Sequence, residues 1–164
     1  EIMPYLENAM KTGNPLLIIC DDIEQEVLSA VVMNKLRGVF NVVITKAPSF
    51  GDRKIQLLKD ISCITGANFV STTKGDNLEA LGVEGLGKCA KAIINQNKTV
   101  IIDGAADPEV ILSYAEGLKT LLDNETSSYE KDKYRERIDN FFAFNDKNNC
   151  QRVYEKIMEL QNQK

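Results

Sequence analysis

Leu16-Leu17-Ile18-Ile19-Cys20 is an unbroken apolar run, bounded by Gly13-Asn14-Pro15 before it and Asp21-Asp22 after it. A half-exposed strand alternates apolar and polar residues, so a continuous run of this kind marks a strand covered on both faces. That requirement commits the chain to a layered α/β architecture. The flanking residues supply helices. Upstream, Ile2, Leu6 and Met10 recur at i+4 with Met3 and Ala9 alongside, which predicts a helix over 2–11 ended by Gly13. Pro4 is tolerable only in a first turn, so that helix starts at or just before the first residues. Downstream, Asp21 and Asp22 stand where an N-cap belongs, and Gly38 where a stop belongs, for a helix over 23–37.

The second helix carries more apolar side chains than one buried stripe uses. Ile23, Val27, Ala30 and Val31 cluster on one side at about 100° per residue, while Leu28, Val32 and Leu36 fall on another and Met33 lies beyond them. Narrow strips of Glu24, Gln25, Glu26, Ser29, Lys35 and Arg37 separate the two faces. One face serves a core, and the other needs a further partner.

Beyond Gly38 the pattern predicts a strand over 39–45 and a loop over 47–51. A third helix capped by Asp52 runs to Thr65, with Gly66 closing it. A short strand over 68–72 precedes a loop-rich stretch over 73–88. Strands over 89–95 and 99–103 are joined by a Gln96-Asn97-Lys98 turn. Composition then turns helical, with helices over 110–122 and 128–142, the latter capped by Ser127 or Ser128. Their short link makes them an antiparallel pair. A last helical segment is predicted over 151–160. Internal repeats and low-complexity linkers are absent from the sequence.

Several function classes fall away. The chain has no histidine, which removes Ser-His-Asp and Cys-His catalysis and the commonest metal ligand. Cys20, Cys63, Cys89 and Cys150 are far apart and form no CxxC, so they read as structural thiols in a reducing compartment. A net charge of −4 gives no sign of a nucleic-acid partner. No apolar run approaches the ~20 residues of a membrane span. The chain opens inside a helical pattern without an initiator Met and reads as a fragment, from which any targeting sequence could have been removed.

The candidate chemistry is thin. Asp103-Gly104-Ala105-Ala106-Asp107 has one glycine and no Lys, fitting a strand-ending turn rather than a phosphate loop. Gly82-Val83-Glu84-Gly85-Leu86-Gly87 has the wrong glycine spacing and no preceding strand. Phe50-Gly51-Asp52-Arg53 serves equally as an anion loop or as a helix cap with a local ion pair. An α/β enzyme would use the strand-end carboxylates Asp21, Asp22 and Asp103, with a metal, and would bury both faces of the overloaded helix. A binding module instead leaves Leu28, Val32 and Met33 exposed. Constitutive oligomerisation through those faces is the third option.

Specific strings carry a family resemblance. Pro4-Tyr5-Leu6-Glu7, Gly13-Asn14-Pro15-Leu16-Leu17-Ile18-Ile19 and Asn34-Lys35-Leu36-Arg37-Gly38 are followed by Val43-Ile44-Thr45-Lys46-Ala47-Pro48-Ser49-Phe50-Gly51-Asp52-Arg53 and Thr99-Val100-Ile101-Ile102-Asp103-Gly104. Together they resemble the apical domain of group I chaperonins, the chaperonin 60 family, from Glu1 to about Asn140. The resemblance implies a swivelling β/β/α sheet core flanked by helices, with a C-terminal helical pair. It divides the chain into an apical polypeptide-binding domain over 1–140, lacking its N-terminal part, and a divergent helical tail over 141–164.

By the same resemblance the two helices bind non-native polypeptides and the mobile loop of a chaperonin 10 co-chaperonin in an apolar groove. Met3, Leu6, Glu7 and Met10 fall on the first helix's binding face, and Glu26, Leu28, Val32, Met33 and Asn34 on the second's. ATP and Mg belong to other domains of the full-length, homo-oligomeric ring. This chain is expected to hold no cofactor, to catalyse no reaction and to be monomeric. The many Asn and Lys residues and the unusual tail favour an organelle, mitochondrial matrix or plastid, and leave the bacterial cytoplasm open. Ser49 stands where the family's loop has glycine, and Met10 and Met33 are bulkier than the residues usual there.

Overall fold

The computed structural model describes residues 1–71 and 75–142. The chain is a mixed α/β protein that divides into two compact units, the first spanning Glu1–Ala106 and the second beginning at Asp107. The tail over 143–164, including the helix expected over 151–160, lies outside the described residues.

The first unit opens with helix α1 (Met3–Thr12), strand β1 (Leu16–Cys20), helix α2 (Gln25–Leu36) and strand β2 (Val42–Lys46). Pro4 sits in the first turn of α1, and Gly13 ends it at φ 69° while donating its N–H to the Ala9 carbonyl. β1 and β2 pair in parallel, Leu16 opposite Val42 and Ile18 opposite Ile44, so α2 is the crossover of a βαβ unit. Alternate residues of a strand share a face. Leu16, Ile18, Val42 and Ile44 accordingly line one face, where Leu6 of α1 and Val31 of α2 join Val42 in the buried core. Ile2, Val27 and Phe40 pack around this cluster. Each buried side chain of this kind contributes about 1.5–3 kcal/mol. All five β1 residues are partly buried, so both faces of the strand are partly covered.

The expected cap at Asp21 or Asp22 is not formed. α2 starts at Gln25 behind Glu24, in extended backbone and without a side-chain cap. Asp21 instead pairs with Lys54, Nζ to Oδ2 2.5 Å. At the other end Gly38 adopts φ 71°, and the Val39 N–H returns to the Asn34 carbonyl at 3.0 Å. This is the αL stop expected of a glycine beyond a helix. β2 begins at Val42, three residues later than the apolar pattern suggests, because these returning bonds occupy the chain after α2.

Helix α3 (Gly51–Thr65) ends at Gly66 as expected, but Asp52 lies inside its first turn and the N-cap is Phe50. Ser49 ahead of it sits at φ 63°, a conformation an L side chain adopts at a cost. Relief of that left-handed conformation is worth about 1–2 kcal/mol, offset by about 0.4–1 kcal/mol of extra unfolded-chain entropy for glycine. Ser49→Gly is therefore expected to raise stability by about 0.5 kcal/mol, read as a higher urea midpoint at unchanged slope.

Residues 68–71 form no strand, in contrast to the pattern expected there. The Asn68 N–H bonds the Gly85 carbonyl at 2.9 Å, a loop contact and not a ladder. A short helix α4 (Leu78–Leu81) and a 3-10 turn (Val83–Gly85) follow. Strands β3 (Cys89–Ile94) and β4 (Thr99–Gly104) form an antiparallel hairpin, its turn held by Asn95 Oδ1 accepting from the Asn97 and Lys98 N–H groups. The last carbonyls of α3 are met by this hairpin: Lys88 donates to Thr65 at 2.9 Å and Ala106 to Ile64 at 3.4 Å.

The second unit holds α5 (Pro108–Asn124) and α6 (Ser128–Arg137), continued by a π-helical turn (Ile138–Phe142). Ile111, Ala115 and Leu118 are the buried stripe of α5. Asp107 caps α5 through the Glu109 N–H, and Ser127 caps α6 through the Glu130 N–H. The Glu125 carboxylate accepts the Ser127 and Thr126 N–H groups, which hold its pKa below the usual range. Arg137 is buried and donates to Tyr114 Oη at 3.2 Å.

Candidate functional site

The apolar surplus of α2 divides along the helix as its periodicity requires. Val31 is 4% exposed and in the core, whereas Val32, one residue on, is 47% exposed. Met33 is likewise exposed, and Leu36 reaches 78%. Leu36 follows Val32 by four residues, so the two share a strip of surface. Leu28 is partly buried at the margin of that strip, and Ala30, expected with the core residues, is exposed. On α1, Met3 and Met10 are exposed and seven residues apart, two turns up the same side.

Of the residues placed on the binding face, Met3, Glu7, Met10, Glu26, Val32 and Met33 are exposed. Asn34 is partly buried, its Nδ2 donating to the Ala30 carbonyl at 2.8 Å within α2. Leu6 is a correction: it is 6% exposed and belongs to the core with Val31 and Val42. With Tyr5 and Ala9 it forms the buried side of α1, so it holds the helix down and is not itself offered to a ligand. Leu36 and Val39 extend the exposed apolar surface beyond the assigned residues. For Leu36 the i+4 spacing from Val32 was the available signal.

The two helices meet through Leu6 and Val31, which pack into one cluster. Their C-terminal ends frame a hollow of about 410 Å³ lined by Ala9, Gly13, Lys35, Val39, Phe40 and Asn41. Lys35 reaches across to donate from Nζ to the Val42 carbonyl at 3.1 Å. A fixed apolar floor thus carries side chains that remain in water.

The strand-end carboxylates are arranged differently. Asp21 and Asp22 follow β1 and are exposed, while Asp103 lies in β4 of the other sheet at φ 53°. Among the described residues no group of three or more His, Cys, Asp or Glu side chains is placed to share a metal ion. Cys20 and Cys63 are partly buried. Burial raises both thiol pKa values, helped at Cys20 by Asp22 and Asp21 and at Cys63 by Asp60. Cys89 departs from the structural reading of the thiols, being exposed. Cys150 lies outside the described residues. No described helix is long and apolar enough to cross a membrane. No protein-family model matches the chain.

Proposed function

We propose that this chain is a polypeptide-binding module of the chaperonin 60 apical type, capturing non-native chains on the exposed sides of α1 and α2. The observation that supports the reading is the exposure of Met3, Met10, Val32, Met33 and Leu36 on two helices anchored through one core cluster. Apolar side chains kept in water on a fixed floor gain free energy only by meeting another apolar surface. Several such contacts, each worth about 1.5–3 kcal/mol before ordering costs, give affinity without sequence specificity. Three thioethers among them let the surface adapt to differently shaped clients.

Glu7 and Glu26 stand exposed on the same helices and orient the bound segment or discourage wholly apolar self-association. In the full-length ring, repetition of the module multiplies a weak affinity. The mobile loop of a chaperonin 10 partner competes for the same surface once ATP-driven movement in other domains presents it. An organellar setting remains the favoured one.

The test is suppression of aggregation of a chemically denatured protein by the isolated chain. Val32→Ser and Met33→Ser are expected to reduce it several-fold together while stability changes by no more than about 0.5 kcal/mol, as for surface sites generally. Undiminished suppression by the folded double variant would sink the reading.

A further inference from the structure

The chain has four methionines, and Met3, Met10 and Met33 are all exposed and all lie on α1 and α2. The fourth, Met158, lies outside the described residues. Methionine supplies three of the five side chains on the candidate surface. Its thioether is the one apolar side-chain group that a mild oxidant converts to a polar one.

We infer that Met3, Met10 and Met33 are oxidation sites through which a peroxide switches off polypeptide capture. The inference rests on the binding reading above. The chemistry is oxygen transfer: the thioether sulfur attacks one peroxide oxygen, an S–O bond forms and the O–O bond breaks. Sulfur is oxidised by two electrons, and with hydrogen peroxide the remaining oxygen leaves as water. The product sulfoxide is a strong hydrogen-bond acceptor that remains hydrated, so its burial against an apolar client is opposed. The core lies out of reach, because Leu6, Val31 and Val42 beneath these helices carry no sulfur. The fold therefore survives the reaction that changes its surface. Partial burial disfavours the reactive thiolate at Cys20 and Cys63, and among the described residues the exposed Cys89 is the thiol open to competing oxidation.

The experiment treats the 164-residue chain with dilute hydrogen peroxide, then with dithiothreitol, which reverses thiol oxidation and leaves sulfoxides. Peptide mass spectrometry locates the added oxygen, and far-UV circular dichroism follows the fold. Capture of a denatured test protein is measured before and after. We expect sulfoxide at Met3, Met10 and Met33, unchanged dichroism and capture weakened at least tenfold, since loss of even one such apolar contact implies about that much. Methionine sulfoxide reductases should restore capture. A Met3→Leu, Met10→Leu, Met33→Leu variant that retains Met158 is compared with its own untreated capture, whatever that level is, and should lose none of it on peroxide treatment. Full capture by chain oxidised at all three sites overturns the inference and leaves the binding reading standing. So does loss of capture by the leucine variant on peroxide treatment, or failure of the three sites to oxidise in the folded chain. Absence of capture before treatment overturns the binding reading, and the inference with it.

Discussion

Val31→Asp is expected to unfold the first unit, whereas Val32→Asp on the same helix is expected to leave it folded. Val31 packs with Leu6 and Val42 at the junction of α1, α2 and the β1–β2 sheet. A carboxylate there would be desolvated among apolar groups. An uncompensated buried charge costs about 3–5 kcal/mol, a large share of the 5–15 kcal/mol that holds a typical domain folded. Val32 is already nearly half in water, so its carboxylate remains hydrated and stability shifts by about 0.5 kcal/mol or less. Urea denaturation followed by circular dichroism reads the difference directly. Equal losses at the two positions would mean that α2 has no free side, contrary to its exposure pattern.

The second large effect is expected at Gly104. The end of β4 runs so close to the end of α3 that a Cβ at Gly104 would overlap the Ile64 carbonyl oxygen and lie 2.8 Å from its carbon. Both obstacles are backbone, and neither moves freely. The Ile64 carbonyl also accepts from the Ala106 N–H, and the Thr65 carbonyl accepts from Lys88 at the start of β3. Pushing β4 away therefore loosens the bonds that satisfy the helix terminus. Gly104→Ala is expected to cost about 2–3 kcal/mol, at the upper end for overpacking, and to lower the urea midpoint. A midpoint within error of the parent would refute the close approach.

The β1 strand, the turn at Gly13, the end of α3 at Gly66 and the β3–β4 hairpin were legible because each rests on short-range chemistry. An apolar run, a residue free to take positive φ and an Asn-rich turn act within a few positions of themselves. Asp21 and Asp22 were misread because a cap competes with any cation that the fold brings near, and Lys54 lies more than thirty positions along the chain. Leu6 was misread for another reason. Met3, Leu6 and Met10 share one periodic pattern, and only the position of the sheet decides which of them it covers. On α2 the two faces were separable in sequence, since their angular spread exceeds what one contact can bury. Which of them faced the core was not. Over 68–71, the described part of the strand expected at 68–72, the Asn68 N–H is bonded to the distant Gly85 carbonyl, a partner the local pattern does not reveal.

Tyr5 in α1 donates its hydroxyl to the Leu78 carbonyl at 2.5 Å, across 73 positions of chain. Its ring is buried, so the first helix is fastened from a point far downstream. Local contacts form early in folding, and contacts between distant positions form after the entropy of a long loop has been lost. During synthesis α1 must therefore wait until the chain has emerged past Leu78 before this anchor closes. Until then the helix bearing Met3 and Met10 rests on the contacts of Leu6 with Val31 and Val42 and lacks its most distant fastening. On the reading proposed above, a module that captures unfinished chains is, for that interval, an unfinished chain itself.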